Sequence, residues 1–360
     1  MTTTASRPRT ARRWRAGAAT AGLVLVLAAC SSAPVVVPTP DTVTLQPTIT
    51  PDKGSAPTPV LPATWPLTGV AGDVVARPAL AVKIENTSMA RPQTGLEQAD
   101  VVWETIVEFD VARLVAVFQS QVPAEIGPIR SVRPMDMPII APLHGMFAYS
   151  GGQPGILALA HASGAQILSH DAGDAGFYRT KTRAAPHNVY GSPETFWASA
   201  EAGRTAPAEQ FSFARTAQRA AAVRAGTPAT TLTFSLSSAS KPSWTWDAGS
   251  GTWLRSEGSS AAMAASGARL SAVNVVTIVA PHPPSGFKAQ NNASVPTYSL
   301  VGSGEGTVAT GGMTVPVTWS KAAEDQPMVL TLADGSAADL APGNTWVELV
   351  PKETGSYTIG

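Results

Sequence analysis

Two apolar runs lie close together in the first half of the chain, at positions 101–109 and 112–118. Both are rich in β-branched or aromatic residues, which favour extended strands over helices. Asp110 and Val111 alone separate them, and so short a connection typically joins two strands that pair in opposite directions. The sequence therefore predicts an antiparallel hairpin, around which the rest of the chain is arranged.

Three acidic residues, Asp100, Glu104 and Glu108, recur at every fourth position along the first run. Residues at even spacing lie on one face of a strand, so the three carboxylates would share one side of the hairpin. The same spacing also places them on one face of a helix, which stays as the alternative. The density of valine and isoleucine favours the strand.

The composition limits the class of protein. Glycine and proline number 31 each, which is typical of chains with many turns and long loops. The single cysteine, Cys30, excludes an intramolecular disulfide and a thiol nucleophile elsewhere. Five basic residues lie in segment 7–15, and without them 20 basic residues face 25 acidic ones, a balance of −5. Nonspecific nucleic-acid binding needs a basic face, so we expect no nucleic-acid partner.

The first 29 residues have the pattern of a lipoprotein signal peptide. A basic stretch precedes an apolar run at 16–27, and about 12 apolar residues are too few for a bilayer that needs about 20. The run ends Leu-Ala-Ala-Cys at Cys30, which resembles the bacterial lipobox and implies cleavage before Cys30. We therefore predict acyl chains such as palmitate on Cys30, anchoring the protein at the outer, extracytoplasmic face of the cell membrane. An ordinary signal peptide that removes Cys30 and an uncleaved anchor are the alternatives.

The remaining chain divides into three parts by composition. Residues 30–64 are rich in proline and threonine without a helical period, which predicts a disordered tether. We predict an N-terminal domain at 65–204 and a C-terminal domain at 205–355. A segment of high helix propensity at 217–225 is expected to link them.

The two predicted domains differ in pattern. In the first, strands at 79–85 and in the hairpin alternate with a helical turn at 95–99 and short helices at 153–162 and 192–197. In the second, short strands separated by turns indicate an antiparallel sheet or a small barrel. The predicted strands are 232–236, 244–246, 252–255, 272–279, 297–301, 306–309, 313–320, 328–332 and 345–350. We therefore predict an α+β fold, with an N-terminal mixed α/β domain followed by a mainly antiparallel β domain.

Several motifs carry a resemblance to a known family. They are Arg91-Pro-Gln-x-Gly-Leu-x-Gln-Ala-Asp100, Gly127-Pro-Ile-Arg-Ser-Val-Arg133, Ser150-Gly-Gly152, Phe177-Tyr-Arg179 and Ala185-Pro-His-Asn188. With them, the chain from about Val82 to Val350 resembles the YerB-like lipoproteins, a bacterial domain-of-unknown-function family. The resemblance implies an envelope lipoprotein with an N-terminal α/β-type domain and a separate C-terminal domain, and it implies no reaction. This chain has Phe109 and Asp110 where relatives have two glycines, so the residues that easily take positive φ in a tight turn are missing.

Basic and polar side chains recur in the loops at the predicted strand ends, where sites are usually built. If they converge, their guanidinium groups form a pocket suited to phosphate or carboxylate. The alternative is a structural network in which each arginine pairs with an acidic neighbour. His187 lies in a polar loop and is the best acid–base candidate. The candidate ligand-binding or catalytic residues are Arg91, Glu104, Glu108, Arg113, Arg130, Ser131, Arg133, Arg179, His187 and Asn188.

Other site patterns have less support. On one strand Glu104 and Glu108 would lie about 13 Å apart, beyond the roughly 5–9.5 Å of a glycosidase pair. The histidines lack the spacing of metal ligands, so we predict no metal and no cofactor. His161, in an apolar segment, is expected in the core. Five tryptophans could stack sugars, although burial is their commoner role: Trp244, Trp246, Trp253, Trp319 and Trp346.

Three hypotheses of function follow. The first is a membrane-anchored extracytoplasmic lipoprotein that binds an anionic or carbohydrate ligand of the cell envelope. The second is an enzyme acting on envelope polymer, with His187, Glu104 or Glu108 as acid and base. The third is a protein-interaction or assembly factor of the envelope. The sequence identifies neither the ligand nor an oligomeric state.

Overall fold

The structure, a computed structural model, describes residues 62–289 and 292–360. The predicted signal peptide, Cys30 and nearly all of the predicted tether lie outside these residues. Val60–Gly360 forms one compact unit, to which all of the described residues belong.

The strands and helices of the first half follow the predicted alternation. The strands are β1 (Leu80–Glu85), β2 (Val101–Ile106), β3 (Ala112–Phe118), β4 (Met146–Tyr149), β5 (Gln166–Ser169), β6 (Phe177–Arg179) and β7 (Val189–Gly191). The α-helices are α1 (Met137–Ile140), α2 (Pro154–Ala162) and α3 (Pro193–Ala198). Short 3-10 helices lie at Leu96–Gln98, Glu108–Asp110, Pro134–Asp136 and Ala141–Leu143.

The second half is mostly strand. After a 3-10 helix at Ala217–Arg219 and the helix α4 (Ala221–Ala225), its strands are β8 (Thr227–Pro228), β9 (Thr231–Ser235), β10 (Pro242–Asp247), β11 (Thr252–Glu257), β12 (Ser260–Ala261), β13 (Ser271–Ala272), β14 (Asn274–Ala280), β15 (Pro284–Lys288), β16 (Ser294–Pro296), β17 (Gly302–Thr310), β18 (Met313–Lys321), β19 (Val329–Thr331), β20 (Thr345–Pro351) and β21 (Ser356–Ile359). Within residues 62–289 and 292–360, no helix is long and apolar enough to cross a bilayer. The α+β fold class is confirmed.

The predicted hairpin is confirmed, because β2 and β3 pair antiparallel along the whole of β2. The first strand ends at Ile106 and not at Phe109 as predicted. The chain instead turns through the 3-10 helix Glu108–Asp110, with φ of 64° at Phe109 and 60° at Asp110. Two non-glycine residues thus adopt the left-handed conformation that glycine takes at lower cost.

One large sheet contains strands from both halves of the chain. Strand β20 lies between β14 and β2 and runs parallel to both, so the sheet continues across the predicted boundary near residue 205. That boundary stays a prediction. The strand order is β19-β18-β17-β14-β20-β2-β3-β1-β4-β5, with β8 beside β18.

Both faces of the large sheet are covered. Residues 101, 103 and 107 pack into one apolar cluster with helices α1, α2 and α4. Residues 102 and 106 pack into a second cluster on the other face, together with tryptophans of a second, smaller sheet. That sheet is antiparallel throughout, with the order β12-β11-β10-β9-β21 and β13 beside β11. The hairpin is therefore buried on both sides.

Four of the five tryptophans are at most 3% exposed and belong to the core, which leaves them no face for a sugar: Trp244, Trp253, Trp319 and Trp346. Two local predictions are wrong. Residues 297–301 are not a strand, because the Thr297 and Ser299 N–H groups donate to the carbonyls of Pro283 and Pro281, which have no N–H to donate in return. The Tyr298 and Leu300 side chains are buried, and the Tyr298 hydroxyl donates to the Leu349 carbonyl at 3.0 Å. His161 is exposed on α2, since only Ile156 and Ala160 of that helix are buried.

Replacing Phe109 by glycine should stabilise the protein by about 0.5–1 kcal/mol. The left-handed backbone costs an ordinary residue roughly 1–2 kcal/mol, more than the roughly 0.5–1 kcal/mol that glycine's flexibility costs. The ring is 63% exposed, so its loss removes little packing. Urea unfolding would measure the change. Val329→Gly in β19, where the side chain is 54% exposed on ordinary strand backbone, is the matched control and should destabilise; an equal loss in both variants would contradict the interpretation.

Candidate functional site

Glu104 of β2 is fully buried and faces the small sheet. There the Arg255 guanidinium of β11 donates to Glu104 Oε2 at 2.5 Å and to Oε1 of Glu348 at 2.8 Å. Glu348 lies beside Glu104 in the parallel pairing of β2 with β20. Arg255 also donates to Glu257 Oε1 at 2.8 Å. One guanidinium thus holds three carboxylates from β2, β11 and β20, a group that we call the Arg255 cluster.

The surroundings of the Arg255 cluster favour a proton on Glu104. Burial, and then the nearby charges of Glu348 and Glu257, raise the pKa of Glu104 well above its ordinary value, although Arg255 opposes the rise. Oε2 of Glu348, which is buried in the same cluster, has no hydrogen-bond partner among the described residues. The predicted site residue Glu104 therefore lies buried between the two sheets, away from solvent.

Glu108 belongs to a different cluster, which we call the Glu108 cluster and which contains Glu108, Arg113 and Arg133. Arg133 binds both carboxylate oxygens of Glu108, with Nε 2.7 Å from Oε2, and Arg113 Nη2 lies 3.5 Å from Oε1. Burial alone would raise the pKa of Glu108, but the bond from Arg133 and the two positive charges lower it to about 2. Burial and the charge of Arg133 lower the pKa of Arg113 to about 9. Ser131 takes part through its backbone carbonyl, which accepts from Arg113 at 3.0 Å.

A buried ion pair adjoins the Glu108 cluster. Lys83 Nζ lies 2.6 Å from Asp136 Oδ1, and both side chains are fully buried. Burial lowers the pKa of Lys83 to about 8. Asp136 also accepts from the Arg133 backbone nitrogen at 2.7 Å. Lys83 was not among the predicted residues, although a lysine inside the apolar segment 79–85 was the available signal.

The site nearest the surface is built on Glu85, the last residue of β1, which is 1% exposed. His187 Nδ1 lies 2.8 and 2.9 Å from its two oxygens, and Arg130 Nε lies 3.3 Å from Oε2. Thr87 donates to Oε1 at 2.8 Å. The His187 and Arg130 side chains are 15% and 22% exposed, so both reach the surface. We call Glu85, His187 and Arg130 the Glu85 cluster. Glu85 was not among the predicted site residues, although its position as an acidic residue at the end of a predicted strand was the available signal.

Three loops meet around the Glu85 cluster. Arg183 donates to the backbone carbonyls of Met89 and Pro92 at 2.8 and 2.7 Å. Arg130 donates to the Pro186 carbonyl at 3.4 Å, and Arg179 donates to the Asn188 side chain at 2.7 Å. The loops 86–92, 127–133 and 180–188 therefore present a common surface. We define this cationic loop surface as Arg91, Arg130, Arg179, Lys181, Arg183 and His187.

The structure divides the predicted site residues into three groups. Arg91, Arg130, Arg179, His187 and Asn188 lie on or beside the cationic loop surface. The Glu108 cluster and the Ser131 carbonyl form a neighbouring, mostly buried group. Glu104 lies on the opposite face of the large sheet. The structure does not bring Glu104 and Glu108 together, because the chain leaves the strand after residue 106.

The alternative of an ion-pair network holds for part of the set. Arg91 lies 3.4 Å from Glu257, and the arginines of the Glu108 and Glu85 clusters also have carboxylate partners. Among the described residues, the cations of the surface without a salt bridge are Arg179, Lys181 and Arg183. A surface cavity of about 490 Å³ lies elsewhere, lined by residues 143–144, 164 and 201–208. Within the described ranges, histidine, cysteine and acidic side chains form no group of three that could hold a metal ion.

Replacing Glu104 by glutamine should stabilise the protein at neutral and alkaline pH. Folding raises the pKa of Glu104 above 4.5. As the pH rises above that value, the free energy of unfolding of the wild type therefore falls by about 1.4 kcal/mol per pH unit, until the carboxyl of the folded protein itself ionises. Glutamine cannot ionise, and its amide oxygen can still accept from Arg255. Urea unfolding between about pH 5 and 8 should show an advantage of the variant that grows with pH. The exposed Glu209→Gln should show no such trend, and an advantage that stays constant or shrinks would contradict the assignment.

Replacing Glu108 by glutamine should have the opposite dependence. The pKa of Glu108 is depressed from 4.5 to about 2, so its ionised form stabilises the protein above pH 4.5 and this stabilisation is lost as pH falls toward 2. We expect the free energy of unfolding of the variant to be about 3 kcal/mol below that of the wild type at pH 7, and the difference to become smaller in acid. Urea midpoints at pH 7, 5, 4 and 3 measure it, again with Glu209→Gln as control. A loss that does not change with pH would show that packing, not charge, is responsible.

Comparisons with known proteins agree with this architecture. The model of the "Protein of unknown function (DUF3048) N-terminal domain" matches residues 67–206, and that of the DUF3048 C-terminal domain matches residues 231–347. The protein named "Putative lipoprotein YerB" of Bacillus subtilis (strain 168) is 34% identical over 139 residues, which are 38% of this chain and 42% of that relative. The match thus spans less than half of the relative's length.

A solved structure shows the fold more fully. The crystal structure of the YerB protein from Bacillus subtilis matches with a TM-score of 0.68 and 23% identity, covering 83% of this chain and 100% of that one. The two family models together cover more than half of the chain, which confirms the resemblance to the YerB-like proteins. The chain belongs to the DUF3048 family.

Proposed function

We propose that this protein is a membrane-anchored extracytoplasmic lipoprotein whose cationic loop surface binds an anionic ligand of the cell envelope. The anchor is supported by the basic and apolar segments that precede Cys30 and by the Leu-Ala-Ala-Cys motif. A related protein carries the word lipoprotein in its name. An acylated Cys30 would hold the compact unit at the outer face of the cell membrane.

The observation that carries the binding proposal is the junction of three loops around His187. Arg130 and His187 share Glu85, and Arg183 fastens the loop 180–188 to the loop 86–92. These contacts bring cationic side chains from distant parts of the sequence to one surface. Guanidinium groups bind phosphate and carboxylate with two parallel hydrogen bonds, so such a surface suits an anion.

The balance of charge on this surface also favours an anion. Glu85 is buried and already bonded, and Glu257 is directed toward Arg91 and Arg255. The cations Arg179 and Lys181 are exposed and form no salt bridge within the described chain. Their charges are left for solvent or a ligand. The tryptophans give a neutral carbohydrate less support, because sugar binding relies on exposed aromatic faces and four of the five candidates are buried; Tyr178, beside Arg179, is 40% exposed.

Reversing two charges should weaken the binding. We expect the full chain, purified in detergent, to bind poly(glycerol phosphate), and the double variant Arg179→Glu/Lys181→Glu to bind at least about tenfold more weakly, since hydrogen bonds to charged groups each contribute roughly 1.5–3 kcal/mol. Binding should also weaken with added salt. Isothermal titration calorimetry measures both effects.

Arg224→Glu is the matched control, because Arg224 is exposed on α4 in the second half of the chain. It should leave the affinity unchanged. Polygalacturonate tests whether a carboxylate polymer replaces the phosphate polymer, and dextran is the neutral polymer. Equal affinity for dextran, or equal loss in the control and the double variant, would overturn the proposal.

A further inference from the structure

We propose that His187, oriented by Glu85, is the general acid–base that hydrolyses a phosphodiester bond in the anionic ligand. This inference rests on the proposed function, because the cationic loop surface must first hold the ligand. It adds to that function an activity and a class of substrate.

The geometry of the Glu85 cluster fixes one state of the imidazole. Both oxygens of Glu85 lie within 2.9 Å of Nδ1, and an ionised carboxylate can only accept hydrogen bonds. Nδ1 is therefore the donor to Glu85, and Nε2 is the nitrogen left to exchange a proton with water or a ligand. Within the described residues Nε2 makes no hydrogen bond, and the side chain is 15% exposed. A base that is held in one tautomer and open to solvent can remove a proton from water.

The other described histidines lack this combination. His170 Nδ1 bonds to Asp171, but that carboxylate is 67% exposed and does not fix the ring. His282 Nε2 is 3.0 Å from the Ile106 carbonyl, so the nitrogen that would react is occupied. The role of His187 is therefore more than filling space. Thr87 donates to Glu85 and Arg130 contacts it. These two partners stabilise the carboxylate charge without the imidazole.

Arg130 supplies the second element of a hydrolytic site. Its Nε lies 3.3 Å from the same carboxylate that holds His187, and its Nη1 contacts Pro186, the neighbour of His187 in the chain. The guanidinium and the imidazole therefore lie beside the same carboxylate. A positive charge at this position stabilises the negative charge that develops on phosphoryl oxygens during hydrolysis.

Among the anions that the surface could hold, a phosphodiester fits this site best. It carries its negative charge on the group that water attacks, whereas the carboxylate of a uronate polymer is not part of the bond that is cleaved. His187 Nε2 takes a proton from water as the water oxygen forms a bond to phosphorus. The bond from phosphorus to one alcohol oxygen breaks, and the imidazolium returns the proton to that oxygen. The products are a phosphomonoester and an alcohol, and water is the co-reactant.

The test combines turnover with binding. We expect the full chain in detergent to release 4-nitrophenol from bis(4-nitrophenyl) phosphate and to shorten poly(glycerol phosphate). His187→Ala should lower kcat by about 10²- to 10⁴-fold, the usual contribution of a general base, and should weaken binding of poly(glycerol phosphate) less than the double variant Arg179→Glu/Lys181→Glu does. His161→Ala, which removes an exposed histidine on α2, is the matched control and should keep full turnover.

Glu85 is a positioning residue in this scheme, so its test uses the pH profile. Glu85→Gln should lower kcat and move the acidic limb of the profile, because an amide does not stabilise the imidazolium, whereas Glu85→Asp should recover part of the rate. If Glu85→Gln does not fold, His187→Gln replaces it as the variant without a base. A purely structural Glu85 would change stability and leave the pH profile of the folded fraction in place.

The outcomes separate the two proposals. Binding of poly(glycerol phosphate) by the wild type without release of 4-nitrophenol or shortened polymer overturns the hydrolytic role and leaves the binding role. Absence of binding with turnover that depends on His187 overturns the binding role alone. Equal turnover by the wild type and His187→Ala overturns the assignment of the base.

Discussion

The guanidinium of Arg255 links the large sheet of the molecule to the six-stranded sheet that packs on it. Its carboxylate partners are Glu104 and Glu348 of the large sheet and Glu257 of its own strand. Removing one partner from a buried group of this kind would leave an uncompensated charge, which is strongly unfavourable. Charge, as well as apolar contact, therefore determines how the two sheets are positioned on each other. Since β2 and β20 come from opposite ends of the described chain, the same contact also joins the two halves.

The central strands separate two electrostatic environments. On one face, Glu104 meets the Arg255 cluster; on the other, Lys83 and Arg113 meet Asp136 and Glu108. Strand β1 continues the second face to Glu85, where the series of buried charges reaches solvent. A buried carboxylate at the end of a paired strand can orient an imidazole near the surface more precisely than loops alone can. The candidate site is therefore a product of the sheet, although most of its cations are in loops.

The alternation of residues along the first apolar run predicted the strand and its two faces. A period of two in the first apolar run indicates a strand and assigns its residues to faces, and it placed Glu104 on the correct side of β2. It does not indicate what lies opposite. Arg255 is 151 residues from Glu104 along the chain, and His187 is 102 residues from Glu85. His187 and Arg130 were identifiable as polar loop residues, whereas their shared partner was hidden at the end of an apolar strand.

The position of β20 has a consequence for how the protein is made. One edge of β2 pairs with β3 and the other with β20, which begins at Thr345. Until that segment emerges, the newly made N-terminal half has an open row of backbone donors and acceptors on a hydrophobic strand. Such an edge readily pairs with other chains. Closing the first strands thus depends on a segment that is synthesised much later, and a holding chaperone would protect the open edge during that interval.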